Sequence, residues 1–181
     1  MTFFKSLNCG ISKFLFIAVL FFSFSFSDEN AASLHFGDAS NGQIDIMYDF
    51  GSEVAGFQFD IGGLAGLSAS GGDAGDEGFE ISTGSSTVIG FSFSGATIES
   101  GTGLLTTLSY DSISSDTVTL TLGSGAITGP GGIDLVPNVN DSFTHPIDCT
   151  GVYYGSALLD ACTVCDGDGS SCSSVLLSFG A

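Results

Sequence analysis

The chain has 181 residues, 43% of them hydrophobic and only 12% charged, with 20 acidic side chains against two lysines and no arginine, for a formal net charge of −18. That imbalance excludes nucleic acid and anionic membranes as partners, because almost nothing cationic is available to meet a phosphate.

Both lysines, Lys5 and Lys13, precede an apolar run from Phe14 to Phe26, and small residues around Ser27 lead into Asp28-Glu29. A basic start, a short apolar run and a small-residue end predict a secretory signal peptide over residues 1–27. The run falls short of the roughly 20 residues needed to span a bilayer. Cys9 lies ahead of the apolar run, whereas a lipid-anchoring cysteine would have to follow it. With the leader removed, no lysine or arginine is left and all 20 acidic side chains remain. Ion pairs then cannot stabilise the fold, and the carboxylates need screening by ions of an extracellular medium or by bound divalent cations, calcium being the expected one. A solvated acidic surface that serves solubility is the competing reading.

From residue 31 to 147 the chain reads as short strands and turns. Ser33 to Phe36 is a first, short candidate. In Gln43 to Phe50 the side chains Ile44, Ile46, Tyr48 and Phe50 alternate with Asp45, Met47 and Asp49, the period of two of a half-buried strand. Val54 to Ile61 repeats the pattern with Ala55, Phe57, Phe59 and Ile61 on one face. The loop from Ser68 to Gly78 carries Asp73, Asp76 and Glu77, the candidate calcium donors, against the alternative of a mobile solvated loop. Phe79 to Ser82 is another short strand. Thr87 to Ser94 is expected to turn Ile89, Phe91 and Phe93 inward and Ser92 and Ser94 outward. Leu104 to Tyr110, Thr117 to Leu122 and Ile133 to Val136 complete the series, and no window carries an amphipathic helix of useful length. Short strands separated by Gly, Ser, Asp and Asn clusters predict an all-β, antiparallel sandwich with a phenylalanine-rich core.

Residues 148–172 are different. Cys149, Cys162, Cys165 and Cys172 lie in a glycine- and aspartate-rich stretch that cannot build an apolar core. In an exported chain, four cysteines imply two disulfides, with three pairings open. A four-thiolate zinc site is the alternative, but a second Cys-x-x-Cys is missing. Asp166 and Asp168 alternate with glycine and are further calcium candidates, although a complete twelve-residue calcium loop is absent.

Catalysis finds little support. There is no Gly-x-Ser-x-Gly elbow, no His-Glu-x-x-His and no phosphate-cradling loop with a lysine. His35 and His145 fall near the two ends of the sandwich, where lone histidines are ordinarily surface groups.

Two resemblances follow from particular strings. Val54-Ala-Gly-Phe-Gln-Phe-Asp-Ile61, Gly78-Phe-Glu-Ile81, Val88-Ile-Gly-Phe-Ser-Phe93 and Ile98-Glu-Ser-Gly-Thr-Gly-Leu-Leu-Thr-Thr-Leu-Ser-Tyr110 resemble the cohesin-type domain of bacterial extracellular proteins. The likeness covers residues 33 to 145 or so. It implies an immunoglobulin-like or jelly-roll sandwich that binds a protein module or, in related folds, polysaccharide, and it transfers no binding residue to this chain. Asp160-Ala-Cys-Thr-Val-Cys-Asp-Gly-Asp-Gly-Ser-Ser-Cys172 resembles a cysteine-rich spacer repeat of marine bacterial secreted and surface proteins, departing from it at Thr163 and Asp166, and implies a mechanical role. After the spacer, Leu177, Phe179 and Gly180 match Leu34, Phe36 and Gly37. Residues 173–181 therefore read either as the start of a second repeat in a tandem array or as an apolar tail. The expected function is a secreted, non-enzymatic binding or structural module of an extracellular assembly. Polysaccharide binding is the main alternative, and an accessory domain of a secreted hydrolase the more distant one.

Overall fold

The computed structural model describes residues 30–172. The leader, Cys9 and the residues from 173 onward, with the repeat comparison they carry, lie outside the described residues.

In chain order the elements are β1 (Ala31–Ser40), β2 (Gln43–Phe50), β3 (Gly56–Gly62), β4 (Leu64–Ala65), β5 (Ser68–Ser70), α1 (Gly72–Asp76), β6 (Glu80–Thr83), β7 (Thr87–Phe91), β8 (Gly101–Ser109), β9 (Ser112–Ile113), β10 (Thr117–Thr121), β11 (Ile127–Gly129), β12 (Ile133–Asp134) and β13 (Val136–Thr144). One layer runs β13-β1-β2-β8-β5 and the other β6-β7-β3, with β10 and β11 successively along the far side of β3. β13 belongs to both layers: Val136 to Val139 pair with β1, and Asn140 to Thr144 pair with β10. The β1–β13 pair is parallel, a departure from the all-antiparallel expectation. Strands at opposite ends of a domain are not joined by a hairpin, so no tight turn dictates their direction.

The core follows the period of two. Leu34, Ile44, Ile46, Phe50, Leu105 and Leu108 from one layer meet Phe57, Phe59, Ile61, Val88, Val118 and Leu120 from the other, all buried. Each such side chain contributes about 1.5–3 kcal/mol. In β8 the register slips against β2 between Ile46 and Met47, so Leu105 is the extra residue of a bulge and both Leu105 and Thr106 are buried. The hydroxyl of Thr106 donates to the Ser70 carbonyl at 3.2 Å, which lets a polar group sit in the interior.

Several expectations need correction. Ile133 to Val136 is not one strand: Ile133–Asp134 is β12, paired with β11, and Val136 opens β13, which runs to Thr144 and was hidden because Asn138, Asn140 and Asp141 read as a turn. Val54, not Ala55, is the buried residue ahead of β3, held by a bridge to Ile98. The loop after β5 contains the one-turn helix α1, whose Ala74 is fully buried. The largest correction is the phase of β7. Val88 and Gly90 face the core, Phe91 is 37% exposed, and Phe93, beyond the strand, is 84% exposed. Gly90 decides the phase: it lies opposite Phe57 in the register, and the Phe57 ring fills the space that a side chain at Gly90 would take.

Candidate functional site

The inverted phase of β7 gives the sandwich an apolar outer surface. Ile89 and Phe91 stand on the face of the β6-β7-β3-β11 layer that points away from the core, beside Gly56 and Gln58 of β3 and Thr128 of β11. These residues, with the Ser124–Ala126 loop, line a cleft of about 310 Å³. Phe93, beyond the strand, meets the ring of Phe91 edge to face at 4.9 Å. The floor offers hydroxyls and one amide, and the flanks carry Glu80, paired with Phe91, and Asp60, whose carboxylate accepts the Thr87 hydroxyl at 2.7 Å. Sequence reasoning placed these rings in the core. The signal that could have moved them outward is Gly90, an in-phase residue with nothing to bury.

The three loop carboxylates are not brought together. Asp73 accepts the Tyr48 hydroxyl at 2.6 Å, while Asp76 and Glu77 are exposed. Burial first, then the bond to Asp73, pushes the Tyr48 phenol up to about 12, so it stays a hydrogen-bond donor. Among the described residues no three His, Cys, Asp or Glu side chains converge in a way that could hold a metal ion. Asp168 accepts the Ser170 N–H at 2.8 Å.

The cysteine-rich segment is tied by Cys149–Cys165 and Cys162–Cys172, so no thiolates remain for a four-thiolate zinc centre. Its architecture is a twelve-residue unit used twice. In the first unit the Asp148 N–H donates to the Val152 carbonyl at 3.0 Å and the Tyr154 N–H to Pro146 at 2.9 Å; in the second, Asp160 donates to Val164 at 2.9 Å and Asp166 to Leu158 at 2.8 Å. Ile147 bridges Tyr153 as Leu159 bridges Cys165. Tyr154 and Asp166 share the left-handed backbone, at φ 54° and 55°. Each unit is centred on a carboxylate. Asp148 gathers the N–H groups of Thr150 and Val152 on one oxygen and that of Ala157 on the other. Asp160 gathers those of Cys162 and Val164 on one and that of Gly169 on the other. Gly155 and Gly167 are required at equivalent places because a Cβ there would run into that carboxylate. Donation from the Thr150 hydroxyl first, then from backbone N–H groups, holds Asp148 down at about 2, and backbone donors led by Val164 lower Asp160 as well. The apolar side chains Ile147, Val152, Leu158, Leu159 and Val164 are exposed.

The first unit is docked on the sandwich by two tyrosines that the second unit lacks. Tyr153 donates to Asp116, and the Tyr154 hydroxyl lies 2.9 Å from His145 Nδ1. His35 is exposed as expected, but His145 is only 2% exposed. The rings of Phe143, Tyr110, Tyr153 and Tyr154 surround it at centroid distances of 5.2, 6.0, 5.6 and 5.4 Å.

No protein-family model matches the chain, and neither does any curated protein sequence. Among solved structures it is similar to a non-cellulosomal cohesin from the hyperthermophilic archaeon Archaeoglobus fulgidus, at 16% identity over 63% of this chain and 90% of that one, with a TM-score of 0.44.

Proposed function

We propose that this chain is an exported, non-catalytic binding module of an extracellular or cell-surface assembly, attaching to a protein or surface-polymer partner through the outer face around β7. The observation that carries the reading is the outward phase of Ile89, Phe91 and Phe93. Two phenylalanine rings held against each other at a cleft lose little conformational freedom on binding and bring a large apolar area, the composition of an interface anchor. The cleft offers hydroxyl and amide groups and no paired acid and base, which suits recognition rather than turnover. With no lysine or arginine after residue 13, the complementary surface is apolar or cationic. Divalent cations of the medium act as diffuse counter-ions to the acidic surface.

A second reading, polysaccharide binding, is favoured by one feature: exposed rings beside Gln58, Ser124 and Thr128 combine a stacking surface with neutral hydrogen-bonding groups. One experiment separates the two. Wild type and the double variant Phe91→Ala/Phe93→Ala are titrated against cell-surface fractions, intact and protease-treated, and against a glycan array. The primary reading expects saturable binding that the double variant weakens at least about tenfold, or roughly 1.4 kcal/mol, and that protease treatment removes where the partner is a protein. Saturable glycan binding lost in the variant establishes the second reading, and binding indifferent to the two rings removes the face from both.

A further inference from the structure

His145 is the only buried histidine among the described residues, and it sits where sandwich and cysteine-rich segment meet. Its backbone N–H donates to the Asp116 carbonyl at 2.9 Å, fixing it to the turn before β10. Its ring reaches the other way, to the Tyr154 hydroxyl. The second ring nitrogen, Nε2, is buried with no hydrogen-bond partner. A neutral ring can leave one nitrogen bare, whereas an imidazolium needs acceptors for two N–H groups.

We propose that His145 is a pH-operated latch between the two parts of the molecule: the neutral ring holds the first twelve-residue unit against the sandwich through Tyr154, and the protonated ring releases it. The groups that face the ring are Tyr110 after β8, Asp116 before β10, and Tyr153 and Tyr154 from the docked unit. Burial, then the neighbouring Tyr110, pushes the Tyr154 phenol up to about 12, so it stays protonated throughout the range that matters. Asp116 is the one carboxylate in this set, and its Oδ1 is already engaged by Tyr153. Burial lowers the pKa of His145 from its usual 6.5, and the attraction of Asp116 opposes that shift without reversing it.

The direction of the linkage follows. The undocked ring takes a proton near 6.5 and the docked ring only at lower pH. Docking is therefore insensitive to pH above that value. It weakens as pH falls below it, by up to about tenfold per pH unit, until the docked ring is itself protonated. The disulfide Cys149–Cys165 keeps the two units joined throughout, so what is released is the pair, with its exposed Leu158, Leu159 and Val164, as one body.

The test uses the exported chain with both disulfides intact, followed by NMR. The ring resonances of His145 are expected to titrate below 6.5. In the same step the Tyr153 and Tyr154 rings lose their cross-peaks to His145 and Tyr110, residues 146–172 begin to tumble independently, and the sandwich amides stay in place. His145→Phe keeps an aromatic ring in the cage without a titrating nitrogen; it loses the bond to Tyr154 and should dock more weakly, but equally so across the range, with no step. A wild-type step that does not coincide with the ring titration, or a step that survives in His145→Phe, overturns the proposal. If His145→Phe does not fold, Tyr154→Phe decides: it is expected to dock more weakly already at neutral pH, and unchanged docking sinks the latch.

Discussion

In the sandwich, hydrocarbon is inside and carboxylates are outside: Phe50, Phe59 and Ile61 are fully buried, while the acids lie along the strand faces and turns. In the cysteine-rich segment the arrangement is inverted, with Asp148 and Asp160 at the centre of each turn and Ile147, Leu158 and Leu159 facing solvent. Length explains the difference. A twelve-residue unit cannot enclose an apolar side chain, but it can bend three backbone N–H groups onto one carboxylate, and each charge-assisted bond is stronger than a neutral one. The same acidic composition is thus a surface burden in one region and the organising centre of the other.

Five changes would break or sharpen this contrast. Phe59→Ala should be the most damaging substitution, about 3–5 kcal/mol from the sandwich, seen as a large fall in its unfolding midpoint while the twelve-residue units keep their amide shifts. Reducing both disulfides should have the reverse distribution, removing about 2–4 kcal/mol per bridge from residues 146–172, with hydrogen exchange there rising while the strands stay protected. Gly90→Ala forces a methyl into the Phe57 ring and should cost about 1–3 kcal/mol, whereas Phe93→Ala, on the outer side of the same layer, should stay within about 0.5 kcal/mol by thermal melts. The smallest effect is that of acid on the first unit. Because Asp148 is lowered from 3.8 to about 2, its contribution is complete above 3.8 and is lost only as pH falls through about 2. Its carboxyl carbon should titrate there, and the Thr150 and Val152 amides should move with it.

Most strands were legible because one face of each is wet: Gln43 to Phe50 and Thr117 to Thr121 alternate without ambiguity. Val88-Ile89-Gly90-Phe91 is apolar in both phases, so alternation cannot choose, and the larger side chains pointed the wrong way. The outer cleft was missed with it. The twelve-residue repeat was present in the letters, with Asp148 and Asp160, Val152 and Val164, and Gly155 and Gly167 at constant offset. Its cysteines do not keep that spacing, because each bridge joins non-equivalent positions, and they drew attention away from the aspartates. His145 was unreadable for another reason: Tyr110 reaches it from the end of β8 and Tyr153 and Tyr154 fold back over it from beyond a turn, and strand periodicity records neither approach.

The parallel pairing of β1 with β13 bears on how the domain would carry mechanical load. Tension applied between the beginning of β1 and the far end of β13 pulls the two strands in opposite directions along their length, so the pairs from Ala31–Val136 to Leu34–Val139 resist together, in shear, rather than opening one by one like a zip.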